Sequence, residues 1–438
     1  YTFAPEDAIT SPVIKEVVGP DAESVTIAFR LPSNQDKDAA LANLVGSILT
    51  NGKAGLIDLN LVKKQKLLKA SAYSYLLVDH GLLYISASPS QGQSLEDVKK
   101  LLLNEIENLK KGNFDDDLIP SIVNNIKKHK IQQTESYGDR AYMLMDAFTG
   151  KLNWRDQVAY VNDLSKVTKK DIMDFANKYF GNNYVAVLKH KGERTDIEKI
   201  EKPTITPVET NADKQSAFVK MINQMPSTPV APVFLDYNKD LQRSKLGKAE
   251  VYYVQNKENQ LYRLNFRYKI GTLNDLKMGL AAQYIQFLGT DKKSAEQISK
   301  EFYKIASSFR VHTADEYTFV TIEGLQENFE AAVTLYENLI QNLKADEQAL
   351  EALKARIQKY RSDVKANRNQ IMQALTSYAL YGPKNKYNHA LSNAEIASTT
   401  SQELVDRLKK LNDVEQIVIY YGPATMGELT SKLSSLHK

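Results

Sequence analysis

Both halves of this 438-residue chain carry one pattern of strands and helices. Val25 opens the run VTIAFRLPSNQDKDAALANLVGSIL, and Leu261 opens LYRLNFRYKIGTLNDLKMGLAAQYIQFL. Each alternates as a strand up to a Phe-Arg pair (Phe29-Arg30, Phe266-Arg267), crosses a polar loop with Asp, and enters an apolar helix. The match resumes from Gly81 to Gly112 and from Asp315 to Lys344. There a strand and a turn lead into an amphipathic helix that closes on Asn-Leu-Lys (Asn108-Leu109-Lys110, Asn342-Leu343-Lys344). A third pair begins at Val167 and Thr399, with Thr168 and Thr400 placed as helix N-caps. Strands centred on Val185–Val187 and Ile417–Ile419 follow. The offset between matched residues shrinks only from 237 at Phe29 and Phe266 to 232 at Thr168 and Thr400. Two homologous units of roughly 200 residues are therefore expected, as the limit on the size of one hydrophobic core also requires.

Between the units the composition changes. Five of the thirteen prolines (Pro203, Pro207, Pro226, Pro229, Pro232) fall in one interval. Proline fixes φ and removes a backbone donor, so an extended connector is expected. The expected division is 1–192, a proline-bearing linker at 193–247, and 248–438, with a helical turn or more around Ser216–Gln224. Asp115 to Phe148 and Asp346 to Tyr378 read as long helices with few breakers. The element order fits an α+β fold: two domains, each a mixed or antiparallel sheet packed with helices.

Composition excludes several classes. An apolar share of 42% and a charged share of 25% exclude disorder and collagen. The absence of cysteine excludes a disulfide scaffold, a thiol nucleophile and an iron–sulfur cluster, and leaves the compartment open. With 57 basic against 53 acidic residues, the chain lacks the basic surplus of a nucleic-acid partner. No stretch of about 18 apolar residues is present to span a membrane. The chain opens on Tyr1 without a signal peptide and reads as an excised piece or mature form of something longer.

Catalytic motifs are missing. The six histidines (His80, His129, His190, His312, His389, His437) never approach within 48 positions of one another, so no local two-histidine zinc helix exists. They read as surface or packing residues. No G-x-S-x-G elbow, phosphate loop or G-x-G-x-x-G fingerprint occurs. Asp115-Asp116-Asp117 could bind a cation, but reads as an acidic helix N-terminus whose carboxylates cap free N–H groups. Lys63, Lys64, Lys66 and Lys69 could hold an anionic ligand. Interleaved with Leu61, Leu67 and Leu68 on an expected helix, they read instead as its solvated face. The 24 tyrosines fit a peptide-contact surface and amphipathic sheet or helix faces equally well.

One segment carries a resemblance. Gly271 to Thr290 reads G-T-L-N-D-L-K-M-G-L-A-A-Q-Y-I-Q-F-L-G-T. It resembles the zinc helix of the pitrilysin/insulysin family of inverted zincins, where G-L-A-H-x-x-E-H is followed by G-T, two histidines bind zinc and the glutamate activates water. Gly279-Leu280-Ala281 and Gly289-Thr290 match the flanks. The ligand positions hold Ala282 and Gln286 and the general-base position holds Ile285; anchored on Gly289-Thr290 instead, they hold Leu280, Tyr284 and Gln283. The family's third ligand, a glutamate on a later helix, has no counterpart between Glu351 and Glu395. Alanine and isoleucine offer zinc no lone pair, so no catalytic or metal residue is assigned, and the helix near 279–290 reads as a degenerate one.

The first unit resembles the family's second domain type. Its run from Ala54 to Tyr75 is similar to a helix ending L-A-Y-S in relatives, which makes Tyr73 a substrate-binding candidate, while the family's arginine falls near Val62 or Lys63. The resemblance implies a second-type domain, a linker and a zinc-less domain from the middle of an insulinase-like zinc endopeptidase. Alone, the chain would not hydrolyse peptides and would need no cofactor; zinc would sit in a catalytic domain of the parent. The implied partners are the parent's peptide substrates, the remaining domains of the same polypeptide, and a second copy in a homodimer. Sheet edges would take extended peptide by strand addition, and a hinge at the linker would let the halves open. Bacterial relatives are often exported, which implies the periplasm or cell envelope. The alternative is a structural or assembly subunit of the processing-peptidase-like core-protein type. An enzyme with another kind of site would need convergent polar groups in a pocket.

Overall fold

The computed structural model of the chain describes residues 6–194, 196, 198, 201–210 and 212–437. Connector positions 195, 197, 199, 200 and 211 lie outside the described residues. The first half runs β1 (Val13–Gly19), β2 (Ser24–Leu31), α1 (Ala39–Leu49), a π-helical turn (Asp58–Lys63), β3 (Lys69–Leu76) and β4 (Gly81–Ser88). It continues through α2 (Leu95–Lys110), α3 (Leu118–Glu135), α4 (Tyr137–Thr149), α5 (Trp154–Leu164), α6 (Lys169–Tyr179) and β5 (Tyr184–Lys191). The connector carries α7 (Ala217–Gln224), which buries none of its residues.

The second half runs β6 (Gln242–Leu246), β7 (Ala249–Gln255), β8 (Leu261–Tyr268), α8 (Leu276–Tyr284), a 3-10 turn (Ile285–Phe287), α9 (Ala295–Lys304), β9 (Ser308–Thr313) and β10 (Thr318–Leu325). Then follow α10 (Phe329–Gln341), α11 (Glu347–Val364), α12 (Arg368–Tyr381), α13 (Asn393–Ser398), α14 (Ser401–Lys409), β11 (Gln416–Gly422) and α15 (Met426–Leu436). The fold is α+β in two domains. β6 pairs with β7 and so belongs to the second sheet, although Gln242 falls inside the interval read as connector.

The first sheet has the order β1-β5-β2-β4-β3 and the second β6-β7-β11-β8-β10-β9. Apart from the extra strand β6, the two orders correspond, and in each only one pair (β1 with β5, β7 with β11) is parallel. Ile27 sits between Ile85 and Ala186; Leu264 sits between Ile322 and Tyr420. All six are buried. The alternation of β2 places Val25, Ile27, Phe29 and Leu31 on the helix-covered face. The opposite face leaves Val17, Tyr75 and Leu82 exposed in the first sheet and Ile419 and Tyr421 in the second.

Local chemistry sets several boundaries. Thr168 and Thr400 cap α6 and α14 in full capping boxes with Asp171 and Glu403. The expected helix across Ala54–Tyr75 is not formed. Its first part makes only the short turn ending at Lys63, and Lys69–Leu76 becomes β3, paired antiparallel to β4. The run Lys-Ala-Ser-Ala-Tyr-Ser-Tyr-Leu alternates with period two, and the partner strand supplies the ladder that a helix would otherwise make internally. The Thr50 hydroxyl, 2.7 Å from both the N–H and the carbonyl of Ala72, occupies that strand's outer edge there.

Candidate functional site

Some of the positions singled out in the sequence meet in a cleft of about 640 Å³ between the two domains. The first domain contributes the loop at Gly52 and Lys53, Asp58, Lys63, and Lys69 at the start of β3. The second contributes the end of α8 and its 3-10 turn, α9, and the edge strand β9 with Arg310 and His312. Ala282, Ile285 and Gln286 all line this cleft. α8 ends at Tyr284, so Ile285 and Gln286 lie in the 3-10 turn rather than on a continuous helix.

The joint beside the cleft is specific. Tyr303 of α9 belongs to the core of the first domain. Its carbonyl accepts a hydrogen bond from buried Asn125 at 2.8 Å. Ser299 donates to the Lys53 carbonyl at 2.8 Å, and Gln65 donates to that of Ala349 at 3.0 Å. The acidic triplet does not cap α3: Asp117 stands at the N-cap without a side-chain cap bond. Instead Asp115 pairs with Lys300 at 2.5 Å, Asp117 with Lys304 at 2.9 Å, and Asp116 with Lys169 at 2.7 Å. Lysines brought by α9 outcompete the capping geometry for the first and last of these carboxylates.

Charge in the cleft is unusual. Asp58 is buried, and one carboxylate oxygen accepts from the N–H groups of Asn51 (2.7 Å), Gly52 (2.8 Å) and Gly55 (3.2 Å). Burial nonetheless holds its carboxyl above the usual range. Lys63, expected on a solvated face, donates to the Gln286 carbonyl at 2.7 Å across the interface. Burial, with Lys53 adding repulsion, pushes its ammonium down to about 8. Burial also lowers Lys53 and Lys128. Lys64 and Lys66 are exposed. The four lysines thus do not share one face.

Tyr73 lies on β3, half exposed and stacked on Tyr84 at 5.1 Å, and is not part of the cleft lining. Of the histidines, His312 lines the cleft. His437 is buried against Glu337 (2.7 Å) and stacked on Phe266. His190 lies 3.3 Å from Glu16, His129 bonds Gln132, and His389 bonds the Thr272 carbonyl. Among the described residues no group of three His, Cys, Asp or Glu side chains is placed to hold a metal ion. Zinc does not fit the donor set at Ala282, Ile285 and Gln286: a methyl and a branched alkyl chain cannot ligate, and one carboxamide is a poor ligand. Lys53, Lys128, Arg310 and Glu323 were not singled out in the sequence, because residues so distant in the chain give no local signal.

Comparison with known proteins gives matches of three kinds. Residues 1–126 match the family model described as the peptidase M16 inactive domain, and residues 279–394 match that of insulinase, peptidase family M16. The zinc protease PqqE of Helicobacter pylori is 24% identical over 188 residues, covering 40% of this chain and 42% of that protein. The crystal structure of pitrilysin superposes with a TM-score of 0.52 at 14% identity, covering 97% of this chain and 47% of that one. The ferredoxin protease FusC, solved in complex with Arabidopsis ferredoxin, superposes with a TM-score of 0.46 at 13% identity, covering 100% and 52%. The chain spans about half the length of the proteins it matches.

Proposed function

Because this chain belongs to the insulinase-like M16 peptidase family, we propose that its two domains form a non-catalytic wall of a peptide chamber within a longer zinc endopeptidase. The observation that carries this reading is the fate of the zinc-helix segment. Ala282, Ile285 and Gln286 reach the cleft, where the family's ligands and base would stand, but bring no histidine or glutamate to it. Hydrolysis would then belong to another domain of the parent, and zinc with it. What this chain supplies is shape, charge and sheet edges. β9 ends the second sheet and lines the cleft, whereas the outer edge of β3 is taken at Ala72 by Thr50. An edge strand offers main-chain groups to an extended peptide without demanding a sequence.

The match of residues 1–126 to an inactive domain type supports the same division of labour. So does the shared order of the two sheets, which is what duplication of one unit would leave. The test is zinc stoichiometry on the purified chain after incubation with equimolar metal and removal of what is loosely held, run beside a fluorogenic peptide assay. A ratio near zero, with peptide bound but uncut, is expected. A ratio near one, with cleavage abolished by a chelator, would overturn the reading.

A further inference from the structure

We propose that the interdomain cleft binds the carboxylate of an acidic peptide segment, held by Lys53, Lys63 and Arg310. This rests on the chamber-wall reading above and adds to it the class of peptide taken.

The cleft holds more positive charge than it neutralises. Lys53, Lys63 and Arg310 line it. Among the described residues, no carboxylate lies within ion-pair distance of any of the three, nor of Lys128, which is only 4% exposed. Lys63 has a neutral carbonyl as its partner, that of Gln286. The two acidic residues of the lining are engaged elsewhere. Asp58 is wrapped by three backbone N–H groups, and Glu323 pairs with Arg263 on the neighbouring strand at 3.1 Å. The cations also repel one another: Arg310 acts on Lys53, and Lys53 on both Lys63 and Lys128. A group of half-buried, unpaired ammoniums is costly until an anion joins it.

The shape of the cleft identifies the anion's source. About 640 Å³ is far more than an inorganic ion fills. The rest of the lining is largely apolar, with Ile285, Phe287, Ile298 and Phe302, and so suits side chains flanking a carboxylate. β9 has a strand neighbour on one side only, and Arg310 projects from it, so a peptide aligned with that edge would carry its acidic group past the guanidinium.

The experiment is calorimetric titration of the full chain with two short, acetylated and amidated Ser/Thr/Ala peptides. One carries two central glutamates and the other two glutamines in their place. The acidic peptide is expected to bind about tenfold or more tightly, the worth of one charge-assisted bond. Lys53→Met and Lys63→Met should each remove about that factor, and Lys64→Met, on the exposed neighbouring position, should leave it unchanged. Near pH 8, binding should take up a proton, seen as a dependence of the enthalpy on buffer ionisation heat, and Lys63→Met should abolish it. Lys53, Asp58 and Glu296 are the charged groups that act on Lys63, so a proton taken up there reports the entering carboxylate. Equal affinity for the two peptides overturns this proposal and leaves the chamber-wall reading standing. Failure of both peptides removes both readings. Binding of inorganic tripolyphosphate while both peptides fail would make the cleft an anion site unrelated to peptides, which also overturns the proposal.

Discussion

Asn125 and Tyr303 join the two domains at a buried point: the amide of Asn125 donates to the Tyr303 carbonyl at 2.8 Å, and the Tyr303 ring packs in the core to which α3 belongs. Burial of an aromatic ring outweighs any surface ion pair, so this contact is expected to dominate the coupling between domains. Tyr303→Ala should cost about 3–5 kcal/mol, as large-to-small core substitutions do. Thermal unfolding should change from one cooperative transition to two, which differential scanning calorimetry would resolve. A single transition with an unchanged midpoint would rule the coupling out.

The ion pairs beside that joint should matter little. Asp115 and Lys300 are 54% and 41% exposed, and Asp117 and Lys304 are 52% and 63% exposed. Exposed pairs contribute about 0–1 kcal/mol and are screened by salt. Asp115→Asn with Asp117→Asn should lower stability by less than about 1 kcal/mol in urea titration, and adding salt to the parent chain should do no more.

Stability should rise with pH above 8. The folded state holds Lys63 at about 8 against an unfolded value of 10.5. Between these values the unfolded chain keeps a proton that the folded one has released, so raising the pH favours folding. Burial of Lys53 and Lys128 acts in the same direction. Above pH 10 the sign reverses, because burial raises the phenols of Tyr262, Tyr268, Tyr303 and Tyr420, and the unfolded chain loses those protons first. Chemical denaturation across pH 7–11 should show a maximum near 10. Lys63→Met should be more stable than the parent at pH 7 and show a shallower rise.

Gly271 is held by contact rather than by backbone angle. A Cβ there would lie 2.3 Å from the Asp315 carbonyl oxygen and 2.5 Å from that of Ala314. Its own N–H faces the Asn274 side chain at 3.1 Å, and its carbonyl accepts from Asn274 and Asp275. Gly271→Ala should cost about 1–3 kcal/mol or more by overpacking, measured as a shift in the urea midpoint. Gly279→Ala, whose nearest neighbour would be the Thr272 methyl at 3.5 Å, should be near neutral.

What could be read in advance was whatever neighbours in the chain decide. The alternation ending in Phe29-Arg30 and Phe266-Arg267 became β2 and β8, and Thr168 and Thr400 became caps because their partners stand three residues on. The stretch Ala54–Tyr75 resembles a helix, but pairing of Lys69–Leu76 with β4 is a tertiary fact that overrides local preference. The acidic triplet stands where a helix cap would, but lysines some 185 residues further on meet Asp115 and Asp117.

The sequence by itself determined the two repeated units, the α+β class and the absence of metal-donor side chains at Ala282 and Ile285, since periodicity and side-chain chemistry are local properties. Only the tertiary structure decided that Lys53, Lys63 and Arg310 share one cleft with those positions, and that burial lowers the Lys63 ammonium to about 8 rather than leaving it on a wet face. A charge's cost depends on the dielectric and the partners around it, and these are fixed only when chain segments hundreds of residues apart are packed together.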